Sequence, residues 1–340
     1  MKSRQAMFGA LTILLSVVIS LVLIELALRV YTHVALIYDV EMTRYATDIK
    51  QASPNPLIGH VNRPNSEARL MGVDVRINSD GFRDREYPVA RHGGRRLIFL
   101  GDSLTFGWGV EKSRTFEEIL EADLNRTAPT EVINFGAGNY NTEQEVNLFV
   151  AKGLKYRPDE VVAFYFINDA EPTPRKSHWD LLASSRTAIF LWSRVNTISA
   201  RLGWKPSYVS YYKGLYADGQ PGWIAEQKAF LQLRDVCAKN GIRLRVVMLP
   251  EFHQLRNYPF AAEHLKVATF LRDNGITAMD LAPSFAHESN PRRLWVSLDD
   301  AHPNAVADAL IARYALPFIA DGGHAAGPVR STTKRSVRTR

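Results

Sequence analysis

The chain has 340 residues, of which 46% are hydrophobic and 23% are charged, enough length and apolar content for one large domain or two small ones. Its formal net charge of +7 is concentrated at the two ends, and the net charge of the residues between those ends is zero. The composition therefore gives no reason to expect nucleic-acid binding. The terminal cations are Lys2, Arg4, Arg330, Lys334, Arg335, Arg338 and Arg340.

The chain contains one cysteine, Cys237, which excludes an intrachain disulfide and a thiolate metal cluster. We expect this side chain to be a small buried apolar group. The nine histidines form no His-x-x-x-His pair, and the chain has no phosphate loop and no dinucleotide fingerprint. The sequence therefore predicts neither a metal site nor a cofactor.

The first segment is strongly apolar. Residues 7–24 carry no charge, and residues 26–30 extend the run beyond Glu25. At about 1.5 Å per residue, this helix is just long enough to cross a bilayer core. We predict an uncleaved anchor over residues 1–31 rather than a cleaved signal peptide, because a small-x-small cleavage site is poorly formed. A buried core helix is the alternative.

The charges beside this segment predict its orientation. Lys2 and Arg4 precede it, which places the N-terminus in the cytoplasm and the rest of the chain in the periplasm or outside the cell. Residues 32–94 are rich in turn-forming residues and predict a linker with a small β extension. Residues 322–340 predict a basic disordered tail.

Residues 95–321 alternate short apolar runs with amphipathic helices, which predicts an α/β domain of three layers, α/β/α, around a five-stranded parallel sheet. The predicted strands are Arg96–Leu100, Glu131–Phe135, Glu160–Ile167, Leu244–Leu249 and Ile276–Leu281. The predicted helices are Thr115–Asn125, Glu143–Tyr156, Trp223–Asn240, Ala261–Asn274 and Asn304–Ile319. Thr115 is predicted to open the first of them with a capping box.

An aromatic insertion, residues 170–222, interrupts the alternation and includes Trp179. Its helical part places four apolar residues on one face: Leu191, Val195, Ile198 and Leu202. We expect this face to pack on the domain; the alternative is a helix that lies on a membrane or covers the substrate.

Polar side chains follow several predicted strands at the point where each strand ends. Parallel strands present their carboxyl ends at one edge of the sheet, where ligands bind in such folds. A serine becomes a nucleophile when an imidazole takes its proton and a carboxylate orients the imidazole, and N–H donors must face the developing oxyanion. The candidate groups are Ser103, the loop from Asn134 to Thr142, Asn168 with Asp169, and the segment with Asp299, Asp300 and His302.

These residues resemble the SGNH hydrolases, the GDSL lipase and esterase superfamily, over about two thirds of the chain. The motifs are "GDSL" with Ser103, a glycine-containing loop, "ND" with Asn168, and Asp-x-x-His at Asp299 and His302, followed by Pro-Asn. The resemblance implies a flavodoxin-like fold with Ser103 as nucleophile, His302 as base and Asp299 as its orienting acid. It also implies an oxyanion hole made by the serine backbone, a loop glycine backbone and the Asn168 amide.

The chain departs from the family at two places. Phe166 replaces the glycine of Gly-x-Asn-Asp, and Asn139 stands where relatives have a loop glycine. Which of Gly136, Gly138 and Asn139 donates to the oxyanion stays open, as does the choice between Asp299 and Asp300.

Three neighbours of Ser103 have roles outside this set of motifs. We expect Asp102 to hold the turn by hydrogen bonds. Phe106 and Trp108 either line the acyl site or pack beneath the insertion.

The sequence thus predicts a membrane-anchored serine esterase, with an ester substrate such as an acetylated or short-acyl glycan or lipid of the cell envelope. An O-acyltransferase that uses the same serine is the second hypothesis. A non-catalytic glycan-binding envelope protein is the third. The oligomeric state is not predicted.

Overall fold

The computed structural model describes residues 2–91, 93–173 and 185–320. The predicted tail and Trp179 lie outside these ranges. The strands are β1 (Lys50–Ala52), β2 (His60–Asn62), β3 (Glu67–Leu70), β4 (Val73–Arg76), β5 (Arg95–Leu100), β6 (Thr130–Asn134), β7 (Glu160–Tyr165), β8 (Arg243–Met248), β9 (Thr277–Asp280), β10 (Trp295–Ser297) and β11 (Asp300–Pro303).

The helices alternate with the strands of the domain, as the apolar pattern predicts. They are α1 (Lys2–Val34), α2 (Tyr38–Arg44), α3 (Ser103–Phe106), α4 (Phe116–Asn125), α5 (Thr142–Leu148), α6 (Arg186–Arg201), α7 (Tyr208–Leu215), α8 (Pro221–Lys239), α9 (Ala261–Asp273), α10 (Ala282–Phe285) and α11 (Ala305–Ala320).

Strands β5 to β9 form one parallel sheet in the order β6-β5-β7-β8-β9. Side chains of a strand alternate between the two faces. Ile98 and Leu100 therefore join the core beneath α5, α8 and α9, whereas Leu97 and Phe99 join the core beneath α4 and α11. Cys237 on α8 is buried in the first core. The prediction of a three-layer α/β/α fold with five parallel strands is confirmed.

Two helix predictions were wrong in detail. The segment predicted as Glu143–Tyr156 is helical only to Leu148, and a π turn (Phe149–Gly153) and a 3-10 turn (Leu154–Tyr156) follow. Thr115 forms no capping box, because its hydroxyl donates to the carbonyl of Lys112. The Phe116 N–H at the start of α4 donates instead to a carboxylate oxygen of Asp308 on α11.

The region between α1 and β5 packs on the domain. It holds α2, a π turn at Tyr45–Ile49 and two small antiparallel sheets, β1 with β2 and β3 with β4. Tyr45 and Val75 of this region share a buried cluster with Phe106 and Trp108, which follow Ser103. We call residues 38–77 the N-terminal extension. Its packing places it beside the carboxyl end of β5.

Helix α1 is long and apolar enough, at residues 7–32, to cross a membrane, and the side chains of its apolar stretch are exposed.

Helix α6 contacts α1 and α2. The expectation that its apolar face packs on the domain was wrong, since all four side chains of that face are more than half exposed. An amphipathic pattern predicts that a helix has an apolar face and leaves open what covers it.

Candidate active site

Ser103 lies in a sharp turn at the end of β5. Gly101 allows this turn, because a Cβ there would lie 2.0 Å from the hydroxyl oxygen of Thr105. Asp102 is the N-cap of the one-turn helix α3, and its Oδ1 accepts a 2.8 Å hydrogen bond from the Leu104 N–H. Asp102 therefore holds the turn, and Ser103 is the first residue of α3, where its own N–H has no intrahelical acceptor.

The imidazole of His302 lies against Ser103. Its Nε2 is 2.8 Å from the Ser103 hydroxyl oxygen, and its Nδ1 is 2.5 Å from Oδ1 of Asp300. The three residues come from opposite ends of the domain sequence, and together they form the Ser-His-Asp arrangement of a hydroxyl nucleophile with its base and orienting acid.

The prediction that Asp299 is the carboxylate beside His302 was wrong, because Nδ1 of His302 contacts Asp300. Strands β10 and β11 form a hairpin in which Ser297 pairs with Asp300, so Asp299 lies in the turn and its carboxylate accepts from the Ser297 hydroxyl. Residues two apart on a strand share a face, which puts the Asp300 and His302 side chains together. The motif spacing of three residues did not take this hairpin into account.

The other oxygen of Asp300 is also bonded. Its Oδ2 accepts a 2.9 Å hydrogen bond from the indole Nε1 of Trp108, which is buried. Phe106 is fully buried against Tyr45. Both aromatic residues therefore pack behind the site, and Trp108 fixes the carboxylate that orients His302.

The buried surroundings shift the pKa of both members of this pair. Burial lowers the pKa of His302, but the charge and hydrogen bond of Asp300 outweigh it, and the net result is a pKa above the usual value for histidine. Burial raises the pKa of Asp300, yet His302 and the Trp108 N–H keep it below the usual value for a carboxyl. The arrangement favours an ionised Asp300 that stabilises a protonated His302.

The loop after β6 contributes one free backbone donor. The Gly136 N–H donates to Oδ1 of Asn134, and the Gly138 N–H donates to the Tyr45 hydroxyl, so neither of these two predicted donors is available. Gly136 serves close packing instead: a Cβ there would lie 2.3 Å from the Phe106 nitrogen. Within the described ranges, the Asn139 N–H has no acceptor.

Asn139 adopts a left-handed backbone conformation, with φ of 63°. Asparagine tolerates this region better than most residues, so it can hold this conformation without a glycine. Its side-chain oxygen accepts a 2.8 Å hydrogen bond from the Lys50 ammonium. The loop conformation thus leaves the Asn139 N–H without an acceptor among the described residues and ties the side chain to the N-terminal extension.

Asn168 lies in a 3-10 turn, Ile167–Ala170, directly after β7. Its Nδ2 donates a 3.0 Å hydrogen bond to Oδ2 of Asp102, which orients the amide beside Ser103. The carboxylate of Asp169 accepts from the hydroxyl of Thr142 and the N–H of Phe166. An amide nitrogen has two hydrogens, so Asn168 retains one donor for the site.

The N-terminal extension contributes side chains that sequence reasoning missed. The ring of Tyr38 stacks on the His302 imidazole with centroids 5.5 Å apart, and Nε2 of His60 lies 3.0 Å from the Gly138 carbonyl oxygen. With Tyr45 and Lys50, these residues contact the His302 imidazole and the loop after β6. Turn-rich composition predicts irregular structure, and nothing in it signals which side chains reach a site far along the chain.

Burial shifts the pKa of two of these groups. Desolvation lowers the pKa of Lys50 to about 7, and desolvation together with the nearby Lys50 charge lowers the pKa of His60 to about 3. His60 is therefore neutral at pH 7, and its Nε2–H donates to the Gly138 carbonyl.

A cavity of about 630 Å³ opens over Ser103 and His302. Its walls are rich in polar groups, and among the described residues no cluster of His, Cys, Asp or Glu could hold a metal ion. The polar and aromatic side chains that line it include Tyr38, Lys50, His60, Asn139, Asn168, Glu171, Tyr208, Tyr212, Glu251 and His253.

The family model of the GDSL-like Lipase/Acylhydrolase family matches residues 99–310. No curated protein matches the chain in sequence. An acetyl xylan esterase is similar in structure, with 16% identity, a TM-score of 0.42, and coverage of 66% of this chain and 99% of the other.

Two further solved structures have similar values. A two-domain esterase active on acetylated mannans has 17% identity, a TM-score of 0.43, and coverage of 70% of this chain and 53% of the other. A lipase/acylhydrolase from Enterococcus faecalis has 17% identity, a TM-score of 0.41, and coverage of 66% and 96%.

Proposed function

We propose that this chain, which belongs to the GDSL-like lipase/acylhydrolase family and is a carboxylic ester hydrolase, is a membrane-anchored esterase. Its proposed reaction is the removal of short acyl groups from a hydroxyl-rich substrate. The observation that carries the proposal is the 2.8 Å contact between Ser103 and His302, with Asp300 on the far side of the imidazole, at the floor of a polar cavity.

Ser103 attacks the ester carbonyl while Nε2 of His302 takes the hydroxyl proton. Asp300 stabilises the resulting imidazolium, and the tetrahedral intermediate places its oxyanion against the N–H groups of Ser103 and Asn139 and the Asn168 amide. The imidazolium then protonates the leaving alcohol, which leaves an acyl group on Ser103. Water, activated by the same imidazole, hydrolyses this acyl-enzyme and restores the serine.

The cavity lining supports the substrate class. Charged and amide side chains line the walls together with tyrosine rings, including Lys50, Glu171 and Tyr212. A long acyl chain would leave these polar groups without partners, which is costly in a dry site. A carbohydrate has hydroxyls for the polar groups and C–H faces for the aromatic rings, so an acylated glycan of the cell envelope fits best.

The anchor determines where the reaction takes place. Residues 7–24 of α1 carry no charge, and Lys2 and Arg4 precede them, which supports a single span with a cytoplasmic N-terminus. The catalytic domain then faces the periplasm or the cell exterior, where acylated envelope glycans are accessible.

Hydrolysis of p-nitrophenyl acetate by the full chain tests the reaction. We expect S103A to lose turnover by at least about a thousandfold, in line with removal of a triad nucleophile, and a fluorophosphonate probe to label the unsubstituted chain and not the variant. Undiminished turnover by a folded S103A protein would refute the assignment. Acyl transfer to an added oligosaccharide in place of release of free acid would show an O-acyltransferase.

A further inference from the structure

The apolar face of α6 is exposed on a helix that lies directly beside α1. Leu191, Val195 and Ile198 are 53–55% exposed, and Leu202, which follows the helix on the same face, is 56% exposed. Trp192 and Trp204 border this face and are 58% and 76% exposed. We call these six residues the α6 apolar face. A soluble domain rarely exposes so many large apolar side chains together.

Helix α6 is tied to a defined level of α1. The carboxylate Oε2 of Glu25 accepts hydrogen bonds from the Ser185 hydroxyl at 3.0 Å and from the Thr187 N–H and hydroxyl at 2.8 Å each. Glu25 thus serves as an acceptor for the N-terminal turn of α6, which otherwise has unpaired N–H groups.

That level corresponds to the outer boundary of the membrane. Residues 7–24 are uncharged and span about 27 Å as a helix, close to the thickness of about 30 Å of a bilayer core. Glu25 is the first charged residue after them, and Arg29 follows one turn later. When the uncharged residues 7–24 of the apolar stretch 7–32 fill the hydrocarbon core, helix α6 begins where that core ends.

The charge of the surrounding segment complements an anionic lipid surface. The body of the chain is neutral, yet residues 181–217 contain five cations and no acidic residue: Arg186, Arg194, Arg201, Lys205 and Lys213. Lys205 lies over the Trp192 ring at 5.4 Å, and Arg194 lies over the Phe190 ring at 4.7 Å. Aromatic rings with adjacent cations are typical of helices at the membrane interface.

We propose that α6 lies in the outer interface of the lipid bilayer, with the α6 apolar face inserted among the lipids, as a second membrane contact beside the α1 anchor. This inference rests on the membrane anchor of the proposed function. Helix α6 also contacts α2, which begins with Tyr38 over His302. The second contact therefore holds the mouth of the cavity close to the membrane surface.

Depth-dependent fluorescence of the full chain in vesicles of phosphatidylcholine and phosphatidylglycerol tests this proposal. An NBD probe is attached to V195C on α6, to L265C as an exposed control on α9, and to L15C within α1. Val195, Leu265 and Leu15 are 55%, 66% and 57% exposed, whereas the native Cys237 is 1% exposed and stays unlabelled. I198C repeats the measurement, and an unchanged melting temperature shows that each variant is folded.

We expect doxyl-labelled lipids to quench the probe at position 195 by about half or more, because an interfacial helix buries its apolar face about 5–10 Å into the headgroup and acyl boundary. The probe at 265 should be quenched by aqueous iodide alone. Iodide quenching at 195 equal to that at 265, with lipid quenching retained at 15, would overturn the inference and leave the anchor intact.

Two other outcomes also count against the inference. A probe at 195 shielded from both iodide and lipid would show that protein, such as a second copy of this chain, covers the α6 apolar face. A probe at 15 that lipids do not quench would refute the anchor, and the proposed interface contact with it.

Discussion

The ammonium of Lys50 donates a 2.8 Å hydrogen bond to the side-chain oxygen of Asn139, whose backbone N–H is the free donor of the loop. Lys50 belongs to β1 of the N-terminal extension, and Asn139 belongs to the loop after β6 of the parallel sheet. Tyr45 and His60 bond the adjacent Gly138. The extension therefore holds the loop after β6, a role that its turn-rich sequence does not suggest.

Removal of this hydrogen bond should impair turnover more than binding. We expect K50M to lower kcat on p-nitrophenyl acetate by up to about a hundredfold, since a displacement of about 1 Å at a reacting group can have that effect. Steady-state kinetics provide the measurement. K155M is the matched control, because Lys155 pairs with Asp80 away from the cavity. Equal kcat values for the two variants would contradict the positioning role.

Asp300, and not Asp299, should be the carboxylate that catalysis needs. We expect D300N to lower kcat by about 10⁴-fold, the effect of removing the acid that orients a triad histidine. D299N should lose far less, because its carboxylate bonds Ser297 in the hairpin turn. The same assay compares the two variants. A larger loss for D299N than for D300N would restore the assignment made from motif spacing.

The pH dependence should report the raised pKa of His302. Only the neutral imidazole can accept the serine proton, so kcat/KM should rise with pH to a plateau, with a midpoint above the ordinary histidine value of about 6.5. In D300N burial still lowers this pKa and the largest of the charges that raise it is lost, while Asp102 and Glu251 remain, so the midpoint should move to lower pH than in the unsubstituted chain. A wild-type midpoint at or below about 6.5 would contradict the ion pair.

Lys50 offers a second ionisation near neutrality, since burial lowers its pKa to about 7. The K50M variant separates the two groups. If His302 is the group that titrates, the midpoint of kcat/KM persists in K50M at reduced activity. Its disappearance would assign the ionisation to Lys50.

Gly136 should be intolerant of a side chain even though its N–H is not an oxyanion donor. A Cβ at Gly136 would lie 2.3 Å from a backbone nitrogen, so we expect G136A to lower the free energy of unfolding by about 1–3 kcal/mol, as overpacking does. A Cβ at Gly214 on α7 would meet nothing within 4 Å, so G214A should be neutral or stabilising by up to about 1 kcal/mol. Urea denaturation measures both. Equal stability of the two variants would contradict the close approach.

Much of the fold and part of the site follow from local patterns. Continuous apolar runs bounded by glycine predict buried strands. The ends of each predicted strand of the sheet lie within two residues of the ends of an observed strand. Ser103 and Asn168 directly follow such strands, so the edge of the sheet on which they lie could be predicted. His302 could be predicted from its motif.

The remaining contacts depend on tertiary structure. The carboxylate on His302 is decided by a hairpin that turns Asp300 inward and leaves Asp299 in the turn. The oxyanion donor that we propose, the Asn139 N–H, follows by elimination, since Tyr45 and Asn134 accept the N–H groups of the two glycines. The hairpin and the Asn134 contact are local, but each choice also involves a residue from a distant part of the chain: Trp108 donates to Asp300, and Tyr45 accepts the N–H of Gly138.

The sequence by itself determined the elements that depend on local patterns of residues: an apolar first helix, five buried strands with their covering helices, and a serine placed where a strand ends. Only the tertiary structure decided which groups complete the site around the motif "GDSL", because hydrogen bonds between residues tens of positions apart leave no periodic signal. The same limit applies to α6, whose apolar face could be predicted from the sequence pattern. Its position beside Glu25 of α1 was not.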